Sequence, residues 1–532
     1  MSLFSPLFGL FLVILFPVYF LFPKKFRQHQ WVVLLAASYV FYMFGGAGPK
    51  IVFFLLASTV STWFGALKLG EANARYKEQL KTCAPEEKKA LKQASTKKKR
   101  RALTLIVVLN LGILGVVKYA NFVIENLNVL LLKTSAAPLP VLNILMPLGI
   151  SFYTFQSIGY VIDVYRGKCE PDRNLFRYAL FVSFFPQIIQ GPISRYNDLA
   201  RQLYEPHSFD YQRMTFGLQR TLWGYIKKMV IADRISVIVS TIFNNYAGYE
   251  GITVFLGALG YGIQVYADFS GGMDIICGVS EALGIDLIEN FRRPFFAKSV
   301  AEFWQRWHIT LGAWMKEYLF YPLAMSKPFN KMAKALRKPF GATVAKIVPT
   351  SIASFIVFLL VGIWHGAAWK YVVYGLYQAV FVSSATLLEP FYVKCRARFR
   401  INVDGYVWRI FQALRTLFIV TIGRLIAHAD TLGVAIQMLK SMFGKFNPWV
   451  LFDGSLFKLG LDQPNFELLL LSIVFLFIID AVQERGVHIR TEIAKQNVAV
   501  RWAVYCLGIL AIVIFGMYGP GFDASSFIYQ GY

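Results

Sequence analysis

The 532-residue chain is 56% hydrophobic and 16% aromatic but only 16% charged, where an ordinary water-soluble domain carries about 25% charged residues. Its formal charge of +25 suggests nucleic acid, yet the basic residues fall in short clusters between apolar runs, and no stacking motif or nucleic-acid-binding signature accompanies them. The composition excludes a soluble domain and points to one polytopic membrane domain over residues 1–532.

Taken in chain order, residues 4–22 (FSPLFGLFLVILFPVYFLF) approach the ~20 apolar residues that a bilayer crossing needs. No Lys or Arg precedes this run, whereas Lys24, Lys25 and Arg27 follow it. That polarity is opposite to a secretory signal, so a retained first helix with its amino end outside is expected. Residues 31–44 return, and 51–69 enter again. They deliver a basic loop, 71–101, with 11 Lys/Arg against four acids, to the cytoplasm. The run 103–132 exits, and 141–164, 175–193, 213–243 and 252–288 follow. Pro186, Pro192 and the Gly pairs inside these runs predict broken or re-entrant helices, which survive at membrane depth only inside protein or beside a water-filled cavity.

Residues 316–346 hold seven Lys/Arg against Glu317, and KCRARFR (394–400) is a further basic cluster. Both read as cytoplasmic by the positive-inside rule, with contacts to anionic lipid or substrate phosphate as a minor role. The spans 350–365, 368–388, 408–427 and 466–483 come next. The stretch 485–501, with Arg485, Arg490, Lys495 and Arg501, is expected in the cytoplasm, and the last span, 502–518, places the tail 519–532 outside. The expected fold is an all-α polytopic membrane protein with about 11 transmembrane or re-entrant helices. No internal repeat is visible, which argues against a transporter built from inverted halves.

The five cysteines are scattered without CxxC spacing, so neither a disulfide framework nor a zinc site is suggested. HExxH, the P-loop and a GxGxxG after a strand are absent from the sequence, and no metal is expected. Two histidines stand out. His308 lies in EFWQRWHITLGAWMKEY (302–318), which packs three tryptophans and four charged residues into 17 positions. His365 lies in VGIWHGAAW, between Gly362 and Gly366. Counted from about residue 350 at ~1.5 Å per residue, His365 falls ~22 Å along its helix, deep in a ~30 Å core. Ionisable groups there are functional candidates by default, and the two glycines permit a break or a close backbone approach.

The bland reading of His365 is a neutral imidazole hydrogen-bonded between helices; that of His308 is a polar handle in a Trp-rich anchor. On a helix, Trp304, Trp307, His308 and Leu311 share one face, and Glu302 and Arg306 form an i,i+4 pair. Nothing near His308 looks like a nucleophile, which favours a general-base or positioning role over covalent catalysis. His29, His207, His428 and His488 read as structural or loop residues.

The segments MPLGISFYTFQSIGYVIDVYRG (146–167), QGPISRY (190–196), YADFSGGMDIICGVSEALGIDLIENFRRPF (266–295), FWQRWHITLGAWMKEYLFYPL (303–323) and GIWHGAAW (362–369) together resemble the membrane-bound O-acyltransferases. The branch resembled is the bacterial one that acts on polysaccharides. The wording of 154–167, the EYLFYPL run and the length resemble its acetylating members more than its D-alanyl-transferring ones. The resemblance implies a two-sided funnel whose waist holds His365, as the family's invariant catalytic histidine, and His308 as its partner.

Asp268, Ser270 and Asp274 match acidic and hydroxyl positions of the family that orient a histidine, shape the waist or only pack helices. Trp307 and Trp364 flank the two histidines as supporting residues. Tyr529, in SSFIYQGY, matches a C-terminal Phe-x-Tyr whose tyrosine is proposed to carry the acyl group; the residues after it depart from the family pattern. The implied reaction moves an acetyl group from a cytoplasmic thioester, acetyl-CoA, with no bound cofactor, towards an extracytoplasmic polysaccharide. His365 would be the general base, and His308 a donor to the oxyanion or an orienting group. A secreted or membrane-anchored SGNH-hydrolase-like partner would complete the transfer at the cell membrane. D-alanyl transfer from a carrier protein, a glycan or lipid flippase, and a secretion scaffold are the competing readings.

Overall fold

The computed structural model describes residues 2–45 and 51–518; Tyr529 and the rest of the tail 519–532 lie outside the described residues. Among these, secondary structure is helical apart from one isolated antiparallel bridge between Phe291 and Trp307. Seven helices are long and apolar enough to cross a membrane, or eight if the bent pair Trp369–Leu387 and Glu389–Arg398 counts as one span. Shorter apolar helices occur at Pro6–Phe20, Trp31–Met43 and Leu432–Gly444. This is a multi-pass, all-helical membrane protein.

The chain forms two compact units, Met1–Leu218 with Ile276–Ile288, and Gln219–Ile275 with Glu289–Tyr532. In the first, Ser5 caps the helix Pro6–Phe20 by accepting from the Phe8 amide at 3.3 Å, and Pro6 fills the position where a missing N–H costs nothing. The helix Ile150–Arg166 is almost wholly buried and is bracketed by Gly149 (φ 70°) and Gly167 (φ 72°). At Gly149 a Cβ would lie 1.9 Å from the Ile188 carbonyl oxygen, so only glycine fits. Residues 175–193 break as their prolines predict: the helix Leu175–Ser183 stops at Phe184, and the four-residue helix Phe185–Ile188 follows.

The expected basic loop 71–101 is not a loop. It forms the end of one helix, Val52–Thr82, and the start of another, Lys88–Lys133, joined by a short turn. Its Lys, Glu, Gln and Ala residues are strong helix formers, and the Lys99 amine reaches Asn73 Oδ1 at 2.8 Å across the pair.

The second unit departs from expectation at one place. The run 213–243 is continuous instead of broken, because Tyr211–Tyr225 passes into a π-helical stretch, Ile226–Ala232, and on into Asp233–Asn244. His365 ends its helix, at the end of the expected span 350–365. The helix, Lys327–His365, kinks at Gly341 (φ 82°) and stops at His365, with Gly366 as its C-cap. Some 24 residues at 1.5 Å each place His365 about 35 Å along the chain beyond the kink.

Both glycines beside His365 are required by close packing. A Cβ on Gly362 would stand 2.3 Å from Gly375 Cα in the helix Trp369–Leu387, and one on Gly366 would stand 2.2 Å from the Tyr371 ring. Gly362→Ala is therefore expected to force these two helices apart, at a cost of about 1–3 kcal/mol. Tryptophan-monitored thermal unfolding in detergent checks this. Gly112→Ala, where an added Cβ meets nothing within 4 Å, serves as a control that leaves the midpoint unchanged or raised.

Candidate active site

The helix Ile252–Ala282 supplies one wall of the site. Gly224 and Gly271 let the 211–244 run cross it closely: a Cβ on Gly224 would lie 2.5 Å from the Gly271 carbonyl oxygen. At this crossing the wide π turn presents two successive lysines. Lys228 Nζ reaches Asp268 Oδ1 at 2.7 Å and Asp233 Oδ1 at 2.8 Å. Lys227 Nζ reaches Asp274 Oδ2 at 2.6 Å and Ser270 Oγ at 2.9 Å. Arg220 completes the set against Asp274 Oδ1 at 2.9 Å.

Three cations thus face three carboxylates. The Lys228 and Asp268 side chains are only 4% and 1% exposed, a depth at which charges persist only when paired. Asp268, Ser270 and Asp274 direct their polar atoms to these cations.

Between those residues, Phe269 packs against His308. Beyond the helix, the chain runs back antiparallel to the 302–318 segment. The Arg292 amide donates to the Arg306 carbonyl at 2.9 Å, and the Ile309 amide to the Asn290 carbonyl at 3.0 Å. This bridge ends the helix Val300–Arg306 and forces His308 into a left-handed conformation (φ 48°, ψ 54°) before Ile309–Met315 begins. The expected single helix face through Trp304, Trp307, His308 and Leu311 is therefore cut between Trp307 and His308. The expected Glu302–Arg306 pair is present at 2.8 Å, and Glu484 joins both Arg306 (2.9 Å) and Arg293 (2.6 Å).

His308 is 1% exposed. Its ring centroid lies 5.1 Å from that of Phe269 and 6.3 Å from that of Trp364. Its Nδ1 is 3.3 Å from Asn290 Oδ1. Burial, with the nearby His365 adding to it, holds its pKa well below that of a free imidazole. His365, 8% exposed, packs 5.0 Å from Trp364 and 5.7 Å from Tyr374. The structure thus brings His308, His365 and Trp364 together, with the indole in contact with both imidazoles.

Trp307 points to the other side. The Arg424 guanidinium sits 4.2 Å from its ring centroid, and the same guanidinium donates to the Gly262 carbonyl. Trp304 donates to Gln378 Oε1 at 3.2 Å, fixing the start of the segment to the helix Trp369–Leu387.

The sequence reading missed Lys227, Lys228, Arg424 and Asn290. The first three carried a signal, since each is a cation inside an apolar run. Asn290 carried none. Chemically, the site offers two imidazoles in an aromatic shell, a setting for proton transfer.

Lys228→Met would leave Asp233 and Asp268 facing each other without their cation. It is expected to cost about 3–5 kcal/mol. Asp268→Asn leaves Lys228 still paired to Asp233 and is expected to cost less. Thermal midpoints in detergent test the order.

Residues 170–336 match MBOAT, the membrane-bound O-acyltransferase family. A probable alginate O-acetylase of Azotobacter vinelandii is 34% identical over 87% of this chain and 82% of its own length. A peptidoglycan O-acetyltransferase of Helicobacter pylori is 29% identical over 80% of this chain and 74% of its own. A teichoic acid D-alanyltransferase of Bacillus subtilis is 28% identical over 46% of this chain and 60% of its own.

Proposed function

Since the chain belongs to the membrane-bound O-acyltransferase family and is an O-acyltransferase, we propose that it moves an acetyl group across the cell membrane to O-acetylate an extracytoplasmic polysaccharide. The observation that carries this reading is the pair of buried imidazoles, His308 and His365, each packed against the Trp364 indole. Similarity to relatives named as acetylases extends over most of the chain, whereas similarity to the D-alanyltransferase covers 46% of it. That contrast favours acetyl over D-alanyl.

The donor in this reading is a cytoplasmic thioester, acetyl-CoA. His365 is the general base. It takes the proton of an acceptor hydroxyl as the oxygen attacks the thioester carbonyl. The tetrahedral oxyanion collapses, the carbon–sulfur bond breaks, and the thiolate leaves and is protonated, giving an ester and a free thiol. The buried, water-poor setting strengthens the electrostatic interactions that stabilise the oxyanion. Tyr529 is the proposed first acceptor, and a secreted or membrane-anchored hydrolase-like partner completes transfer to the sugar.

The expected outcome is that His365→Ala, at matched membrane levels of protein, reduces esterified acetate on cell-surface glycan to background. Persistence of acetate in this variant sinks the mechanism. Loss of D-alanine esters would put D-alanyl transfer first, and loss of surface glycan itself would point to a flippase.

A further inference from the structure

We infer that Asn290 fixes the tautomer of His308, placing its one proton on Nδ1 and leaving Nε2 as a hydrogen-bond acceptor. The inference deepens the acyl-transfer reading and takes its functional meaning from it, but the tautomer itself stands on geometry alone.

The Thr310 main-chain N–H lies 2.9 Å from one side-chain atom of Asn290, and the Thr310 hydroxyl lies 2.8 Å from the same atom. A backbone N–H can only donate, so this atom is the amide oxygen. The other end of the amide agrees, since Asn290 Nδ2 faces the thioether of Met273 at 3.7 Å, a weak acceptor. An amide oxygen has no proton to give. His308 Nδ1, 3.3 Å from it, therefore interacts favourably only as an N–H donor. A neutral imidazole carries a single N–H, so Nε2 bears the lone pair.

Neutrality follows from depth. His308 is 1% exposed and Asn290 3%, and burial disfavours the charged imidazolium. Asn290 also holds the backbone, because its own carbonyl accepts from the Ile309 amide. One residue thereby caps the helix Ile309–Met315, secures the left-handed turn at His308 and orients its ring.

The consequence removes one of the two roles expected of His308, that of donor to the oxyanion. While neutral it has no proton on Nε2 with which to stabilise an oxyanion. It acts through Nε2 as an acceptor, on the same side of the proton ledger as a base. Asn290 is then a positioning residue, acting through His308. The oxyanion's donors must be sought among backbone amides and other side chains.

The test is nitrogen-15 NMR on full-length protein in lipid bilayers, labelled at histidine, with the His308→Gln variant assigning the His308 signals. The expected result is a protonated Nδ1 and an unprotonated Nε2 in the wild-type protein. The opposite tautomer, or an imidazolium near neutral pH, overturns the inference. Asn290→Leu removes the acceptor and is expected to lose the Nδ1–H signature. It is also expected to lower acyl transfer per folded molecule by roughly tenfold or more. Asn290→Asp, which keeps an acceptor oxygen there, is expected to restore the proton on Nδ1. Retention of the signature in Asn290→Leu also overturns the inference. If that variant does not fold, the wild-type spectrum still decides. The spectrum is independent of the group transferred, so failure of the acetylation reading leaves this result separately legible.

Discussion

The backbone at His308 is the constraint on which the rest of the site depends. A left-handed residue with a Cβ costs roughly 1–2 kcal/mol, and strain of this kind persists only where surrounding structure over-determines it. Here the surroundings do so from several directions. The bridge of Phe291 to Trp307 fixes the chain before the turn, and Asn290 fixes it after. Arg424 stacks on Trp307, while Arg306 is tied to Glu302 and Glu484. Releasing the turn would carry the imidazole off Phe269 and Trp364. A histidine inside a continuous helix would have sprung from a face shared with Trp304; the broken helix separates the two.

Around that turn the second unit uses two kinds of contact that differ in their sensitivity to change. Aromatic rings line the histidines, Phe269 and Trp364 beside His308, and Trp364 and Tyr374 beside His365. Behind the ring layer, the Lys228 and Lys227 clusters hold the 211–244 run against the helix Ile252–Ala282. Paired buried charges add little net stability compared with a well-packed apolar contact, but each is expensive to orphan. They fix a register more than they add to stability, and the register decides whether Phe269 faces His308.

How much of this was legible in the sequence depended on the distance over which each feature is determined. His365 and His308 were legible as ionisable residues in apolar surroundings, and Pro186 announced the break after Ser183 because its effect is local. The cut between Trp307 and His308 was not, since it is imposed by a bridge to Phe291, 16 positions upstream. The 71–101 stretch was misread because its charges suggest a loop, whereas Lys, Glu and Ala favour helix. Lys227, Lys228 and Arg424 stood in plain view inside runs read only for their span-forming hydrophobicity. Asp268, Ser270 and Asp274 were noticed as positions matching the family's, while their lysine and arginine partners lie on a run whose π turn no periodicity reveals.

That π turn has a consequence in helical phase. An α-helix rotates by about 100° per residue, so two adjacent side chains ordinarily point to different neighbours. Widening the turn at 226–232 slows the rotation and lets Lys227 and Lys228 address one partner helix together. The stretch behaves as though it carries one residue beyond what regular winding needs. Its length is accordingly under tighter constraint than its composition. Excising a single residue would restore regular winding with the flanking helix still in phase, and would remove the wide turn that lets Lys227 and Lys228 face the same helix together.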